Sequence, residues 1–198
     1  MFVTFYIFIY SNDKKSNKMK KLKMVTSIAL AIFSVLLSSS AFAQSTPKLS
    51  DPEIASAAVV ANQGDIGFAK IAKQKSKNAD LLKFAETMAK DHQAVIDQAV
   101  ALVTKLKVTP KDNAVSRKLT AEAVKTRKML LSKSAKAFNK AYIDNEVAYH
   151  KAVIAAIETV IVPQATNEEL KDLLQNVVPA FKAHLEHAEM VQKMFASK

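Results

Sequence analysis

The chain has 198 residues, no cysteine, no tryptophan and only two glycines, with 29 basic against 18 acidic side chains. Without cysteine it cannot be a disulfide-stapled scaffold, so its stability has to come from packing, and the length suffices for one sizeable core. So little glycine, with alanine, lysine, leucine and valine abundant, excludes a turn-rich β fold and favours helices.

Lys14, Lys15, Lys18, Lys20, Lys21 and Lys23 form a basic region ahead of the largely apolar run from Val25 to Leu37. Ala41-Phe42-Ala43 then puts small residues at the two positions a signal peptidase reads. This order predicts a cleaved secretory signal over residues 1–43. The run is thirteen residues long, short of the roughly 20 that span a bilayer. No cysteine follows it, which excludes a lipoprotein anchor. Translation from Met19 gives Met-Lys-Lys-Leu-Lys, an ordinary signal start, and we expect the true start there. Removing the signal takes six lysines and Asp13 with it, leaving 23 basic and 17 acidic residues, or +6 instead of +11. Much of the basic balance is therefore a property of targeting.

A short polar leader, 44–50, precedes the helical part, 51–198. Ser50-Asp51-Pro52-Glu53 reads as a capping box, with proline tolerated in the first turn. The helix it opens runs to about Lys75. Asn78 can cap a second helix, ending near Lys107 before Val108-Thr109-Pro110. A basic segment from Asn113 to about Leu131 follows. Ser134 can cap the next helix, which ends near Val162-Pro163. Thr166-Asn167-Glu168-Glu169 is a second capping box, opening a helix that runs almost to the C-terminus and that Pro179 should kink. The segment between the second and third long helices has nineteen residues, or roughly 28 Å at the helical rise. That is enough to return the chain along the whole bundle. We therefore expect an all-α fold, a ferritin-like four-helix bundle with one long helical crossover between its second and third core helices.

Reading each long helix at spacings of three and four gives an apolar stripe broken by one ionisable residue. These residues are Asp65, His92, His150 and His184. At the helical rise, all four lie roughly 17–24 Å from one end of the bundle. Buried singly, each would need its own partner; clustered, they can satisfy one another or hold a cation. Three imidazoles and a carboxylate suit a single transition-metal ion, whether zinc, copper, nickel or iron. Asp91 and Glu146 lie beside His92 and His150 and can orient them as outer acceptors. The alternative is a metal-free buried polar cluster that only fixes packing. His187, Met190 and Met194 share another face of the last helix, a weaker soft-ligand signal for copper.

The blocks from Phe84 to His92, from Phe138 through Tyr142 to His150, and from Val178 to Leu185 resemble the exported ferritin-like family catalogued as domain of unknown function 4142. The similarity covers roughly residues 52–195. It implies a ferritin-like bundle, a periplasmic or envelope location and no established activity. The family pattern usually has Glu where Asp65 stands, and Asp in place of Asn139 and of Tyr149. Di-iron bundles need a Glu-x-x-His pair on each of two helices. Glu146 precedes His150 by four, and no Glu lies three before His92 or His184, so ferritin iron chemistry is not expected.

The sequence thus favours an exported, non-enzymatic helical protein binding a metal at mid-bundle, over a structural module of the cell envelope. Lysine faces at Lys70, Lys73 and Lys77, and at Lys133, Lys136 and Lys140, offer contact with envelope lipid or polymer. Export argues against nucleic acid as a partner.

Overall fold

The structure is a computed structural model that describes residues 48–196. The expected signal over 1–43, its start at Met19 and most of the polar leader lie outside these residues. Five helices carry the described chain, with no strand among them: α1 (Asp51–Lys75), α2 (Ala79–Lys105), α3 (Ala114–Ser132), α4 (Ala135–Ala156) and α5 (Glu168–Ala196). A five-residue π turn, Ile157–Ile161, and a last helical turn, Val162–Gln164, extend α4 without a break. No helix among the described residues is long and apolar enough to cross a membrane.

The caps explain where the helices begin and end. At Ser50 the expected capping box is present, and the amide and the hydroxyl both donate to the Glu53 carboxylate, at 3.0 and 2.7 Å. Asn78 accepts from the Leu81 amide at 2.9 Å, and Asn113 from the Val115 and Ser116 amides. Ser134 holds the cap position of α4, but its side chain makes no capping bond. At α5 the cap is Asn167, which accepts from the Leu170 amide at 3.0 Å, and not Thr166. Helix α2 closes two residues earlier than expected. Lys107 turns into the left-handed region (φ 55°), and Val108 N–H reaches back to the Val103 carbonyl, a Schellman closure made without glycine.

Hydrogen bonds between helix ends set the directions. Lys111 N–H donates to the Pro52 carbonyl and Asn113 Nδ2 to the Glu53 carbonyl, both at 2.9 Å. At the far end Lys75 Nζ donates to the carbonyls of Leu131 and Lys133. Helix α3 therefore lies parallel to α1, over Gly64 and Gly67, where Ala123 and Arg127 come close. It carries the chain from the end of α2 back to the level at which α4 begins. Helix α4 packs on α5 and more lightly on α1, while α5 also packs on α2. Helix α5 runs unbroken through Pro179. That proline and Gln175, whose carbonyl it leaves without a donor, are both exposed, so water can supply the missing bond.

Two apolar cores result. One, around Phe84, Met88, Phe138, Tyr142 and Ile143, fills the end where α1 meets α2. The other, around Ile54, Ile154, Leu170, Leu174 and Phe181, fills the opposite end and takes in Leu49 from the leader. A layer of buried polar side chains separates them: Asn62, Asp65, His92, Glu146, His150 and His184.

Asp51 locks the start of α5 to the start of α1. Its carboxylate accepts from Thr166 N–H (2.9 Å), Thr166 Oγ1 (2.6 Å) and Asn167 N–H (3.0 Å). Partial burial pushes this carboxyl up, but the three hydrogen bonds outweigh it and hold it below the usual value of 3.8. A depressed carboxyl contributes stability in full above its unfolded value and loses it as pH falls through the folded one. Asp51→Ala should therefore cost about 1–2 kcal/mol in urea unfolding at pH 7. The difference from wild type should shrink below about pH 4.

Candidate metal centre

Each site residue is carried by the middle of a different helix, and packing turns them inward together. Asp65, Glu146 and His150 are fully buried, and His92 and His184 nearly so. His92 Nε2 lies 3.4 Å from His150 Nε2 and 3.5 Å from Asp65 Oδ2, and His150 Nε2 lies 3.9 Å from that same oxygen. One ring nitrogen from each of His92, His150 and His184 falls within 4.8 Å of the others. The four residues singled out by the apolar stripes are thus brought to one place.

The hydrogen bonds around the rings decide which nitrogen carries the proton. Asn62 Nδ2 donates to the Ala58 carbonyl, which fixes the amide so that Oδ1 faces His92 Nδ1 at 2.7 Å. Oδ1 can only accept, so His92 is protonated on Nδ1. His150 Nδ1 donates to the backbone carbonyl of Glu146 at 2.9 Å, which is again acceptor-only. His184 Nε2 donates to Asp91 Oδ2 at 3.0 Å, while its Nδ1 is buried with no hydrogen bond among the described residues. In the neutral form each ring therefore presents a lone pair on its other nitrogen: Nε2 of His92, Nε2 of His150 and Nδ1 of His184. Two of these lone pairs face each other at 3.4 Å beside the Asp65 carboxyl, both of whose oxygens lack a donor from any amide, hydroxyl or ring.

Electrostatics keep the His92 and His150 rings neutral. Burial drives His150 down to about 4 and His92 well below its usual value, and the neighbouring histidines add to the effect. Burial drives Asp65 up to about 7, against the pull of a hydrogen bond with Glu146. Burial, then the Asp65 charge, pushes Glu146 well above the carboxylate range. Near neutrality Glu146 thus holds a proton and donates it to Asp65.

The two expected outer acceptors need correction. Asp91 orients His184 and not His92, because α2 turns it toward α5. Glu146 is no outer group for His150: its side chain is itself buried in the cluster, with Oε2 3.8 Å from His150 Nδ1, and only its backbone carbonyl orients the ring. Asn62 was not anticipated, since nothing in its local spacing reveals a partner thirty positions away in His92. Phe181 completes one wall, stacked on His92 with ring centres 5.0 Å apart.

Residues 37–191 match the family described as Domain of unknown function (DUF4142). The chain belongs to the DUF4142 family. That membership covers the whole polar layer and carries no activity with it. No curated protein and no solved structure matches the chain.

The donor separations can be compared with what an ion requires. Zinc–nitrogen and zinc–oxygen bonds of about 2.0–2.2 Å in a tetrahedron place neighbouring donors roughly 3.3–3.6 Å apart. His92 Nε2, His150 Nε2 and Asp65 Oδ2, at 3.4, 3.5 and 3.9 Å, form a slightly wide triangle of that size. His184 brings a third imidazole against the two histidines of that triangle, its ring centre 5.5 and 5.6 Å from those of His92 and His150. Two overlapping groups among the described residues could hold an ion: His92 with His150 and His184, and Asp65 with Glu146 and His150.

Proposed function

We propose that this protein binds a single divalent transition-metal ion through Asp65, His92, His150 and His184, as a non-enzymatic protein of the cell envelope. One observation carries the reading: three buried imidazoles have ring nitrogens engaged by Asn62, the Glu146 carbonyl and Asp91, so that their other nitrogens gather beside the buried Asp65 carboxyl. Without a cation that arrangement is repulsive, and outer acceptors of this kind are how proteins aim histidine at a metal. Charge supports a divalent ion as well. Ionised together, Asp65 and Glu146 bring two negative charges that such an ion neutralises. The donor set of nitrogen and oxygen suits zinc, copper, nickel or iron.

Helix order supports the ferritin-like arrangement, with α1, α2, α4 and α5 as the four core helices and α3 as the crossover. Export rests on the signal sequence, and the exposed lysines Lys70, Lys73, Lys77, Lys136 and Lys140 suit an anionic envelope surface.

The alternative is a structural module with a metal-free polar layer, and the proton shared by Glu146 and Asp65 favours it, because it gives both carboxyls a partner. Elemental analysis of the purified protein, then titration of the metal-stripped protein with zinc, copper and iron, separates the two. Stoichiometric metal, or saturable binding of one ion per chain, is the expected result. No metal on isolation and an unchanged melting curve with all three ions would leave only the structural reading.

A further inference from the structure

The core at the α1 start is incompletely filled. A cavity of about 150 Å³, partly open to solvent, lies there, walled by side chains from all five helices. Its size comes from small residues where larger ones would close the gap: Ala58 and Ala61 on α1, Ala99 on α2 and Ala156 on α4. The π turn forms part of the same wall through Ile157 and Ile161. A π turn widens a helix by one residue and is found frequently at functional sites. Here it faces the empty volume.

The lining is almost wholly apolar. Its one polar side chain is Asn62, and both ends of that amide are already engaged, with His92 and with the Ala58 carbonyl. A water molecule needs two to four polar partners and would find at most the second N–H and second lone pair of Asn62. A dry apolar cavity of this volume is known to take benzene or xenon. We infer that this cavity is a binding site for a compact, uncharged apolar molecule of about the size of one aromatic ring. A polar or ionised head group has no side chain in the cavity to bond except Asn62, which disfavours sugars, amino acids and carboxylates as occupants of it. Phe181 lines the cavity with one side and stacks on His92 with the other, so an occupant touches the wall of the metal centre without reaching its donors. The site does not depend on the metal reading.

The test is thermal melting of the metal-stripped protein with benzene, phenol or decanoate, on wild type and on Ala99→Leu and Ala58→Val, which grow into the cavity. Benzene should raise the wild-type Tm by several degrees at millimolar concentration. Phenol should raise it less, and neither filled variant should respond. A variant that fails to fold is replaced by xenon binding to the wild type, read by the chemical shift of dissolved xenon-129 with and without saturating benzene. Competition between the two supports the site. No benzene shift in Tm, an equal shift in wild type and variants, or a larger effect of decanoate than of benzene would overturn the inference.

Discussion

Replacing His92 by alanine is expected to abolish metal-linked stabilisation while leaving a folded protein. His92 is the hub of the cluster, because its Nε2 is nearest to both other donors of the triangle and its ring stacks on Phe181. A ligand that binds only the folded state raises stability by about 2.7 kcal/mol at a hundred times its Kd. For a domain of this size that is a rise in Tm of roughly 5–10 °C. Wild type should show it on adding the ion that titration identifies, and His92→Ala should show none. Asn62→Ala tests the orienting bond separately, since it leaves every donor in place but frees the His92 ring. Loss of such an outer partner typically weakens metal binding about 10–100-fold. A variant at Asn62 that binds as tightly as wild type would mean that the His92–Asn62 bond serves packing alone.

The second large effect concerns the protein without metal. Asp65 and Glu146 are carboxyls raised by burial, so the folded state holds protons that the unfolded chain has released. Stability from a raised group is complete below its unfolded value and lost as pH rises through the folded one. His92 and His150 are lowered, so their contribution is complete above about 6.5 and lost as pH falls, for His150 toward about 4. Between about pH 4 and 6.5 the two pairs act in opposite directions and largely offset each other. Above about 6.5 the unfolded histidines are already neutral and only the carboxyls still titrate. The metal-stripped protein should therefore lose stability as pH rises above about 6.5, through about 7 where Asp65 titrates. Metal should remove the slope by replacing the shared proton with an ion. Glu146→Gln should make the apo profile shallower, since the amide does not titrate and only Asp65 still does. An apo stability that stays level across this range in urea melts would count against a buried, proton-sharing pair.

The polar layer was only partly legible in the sequence. Asp65, His92, His150 and His184 each interrupt an apolar stripe at the same height, and that pattern needs no knowledge of neighbours beyond the helical repeat. Glu146 was hidden because it stands beside Val147, where a charged residue usually marks the rim of the stripe. In α4 the buried face is wider than one stripe. Tyr142, Glu146 and His150 form a second inward ridge beside Ile143, Val147 and Ile154, since α1 and α5 cover α4 from two sides. Which acceptor serves which ring depends on how neighbouring helices are rotated, so the pairing of Asp91 with His184 could not be read from spacing. Helix ends were legible wherever a local cap defines them, as at Asn78 and Asn113. They were misassigned at Thr166, whose hydroxyl is drawn to Asp51 at the start of the chain's first helix. The π turn had no local signature at all.

The empty volume beside that π turn also bears on how the protein responds to compression. Unfolding lets water into space that the folded bundle leaves empty, so the unfolded state occupies less total volume, by an amount that scales with such voids and is on the order of tens of mL/mol. A bundle built around a cavity of about 150 Å³ should thus unfold at lower hydrostatic pressure than one whose alanines at 58 and 99 have been enlarged. Since the void lies wholly on one side of the polar layer, the first helices to loosen under pressure should be the paired starts of α1 and α5, while the aromatic core around Phe84 and Tyr142 holds.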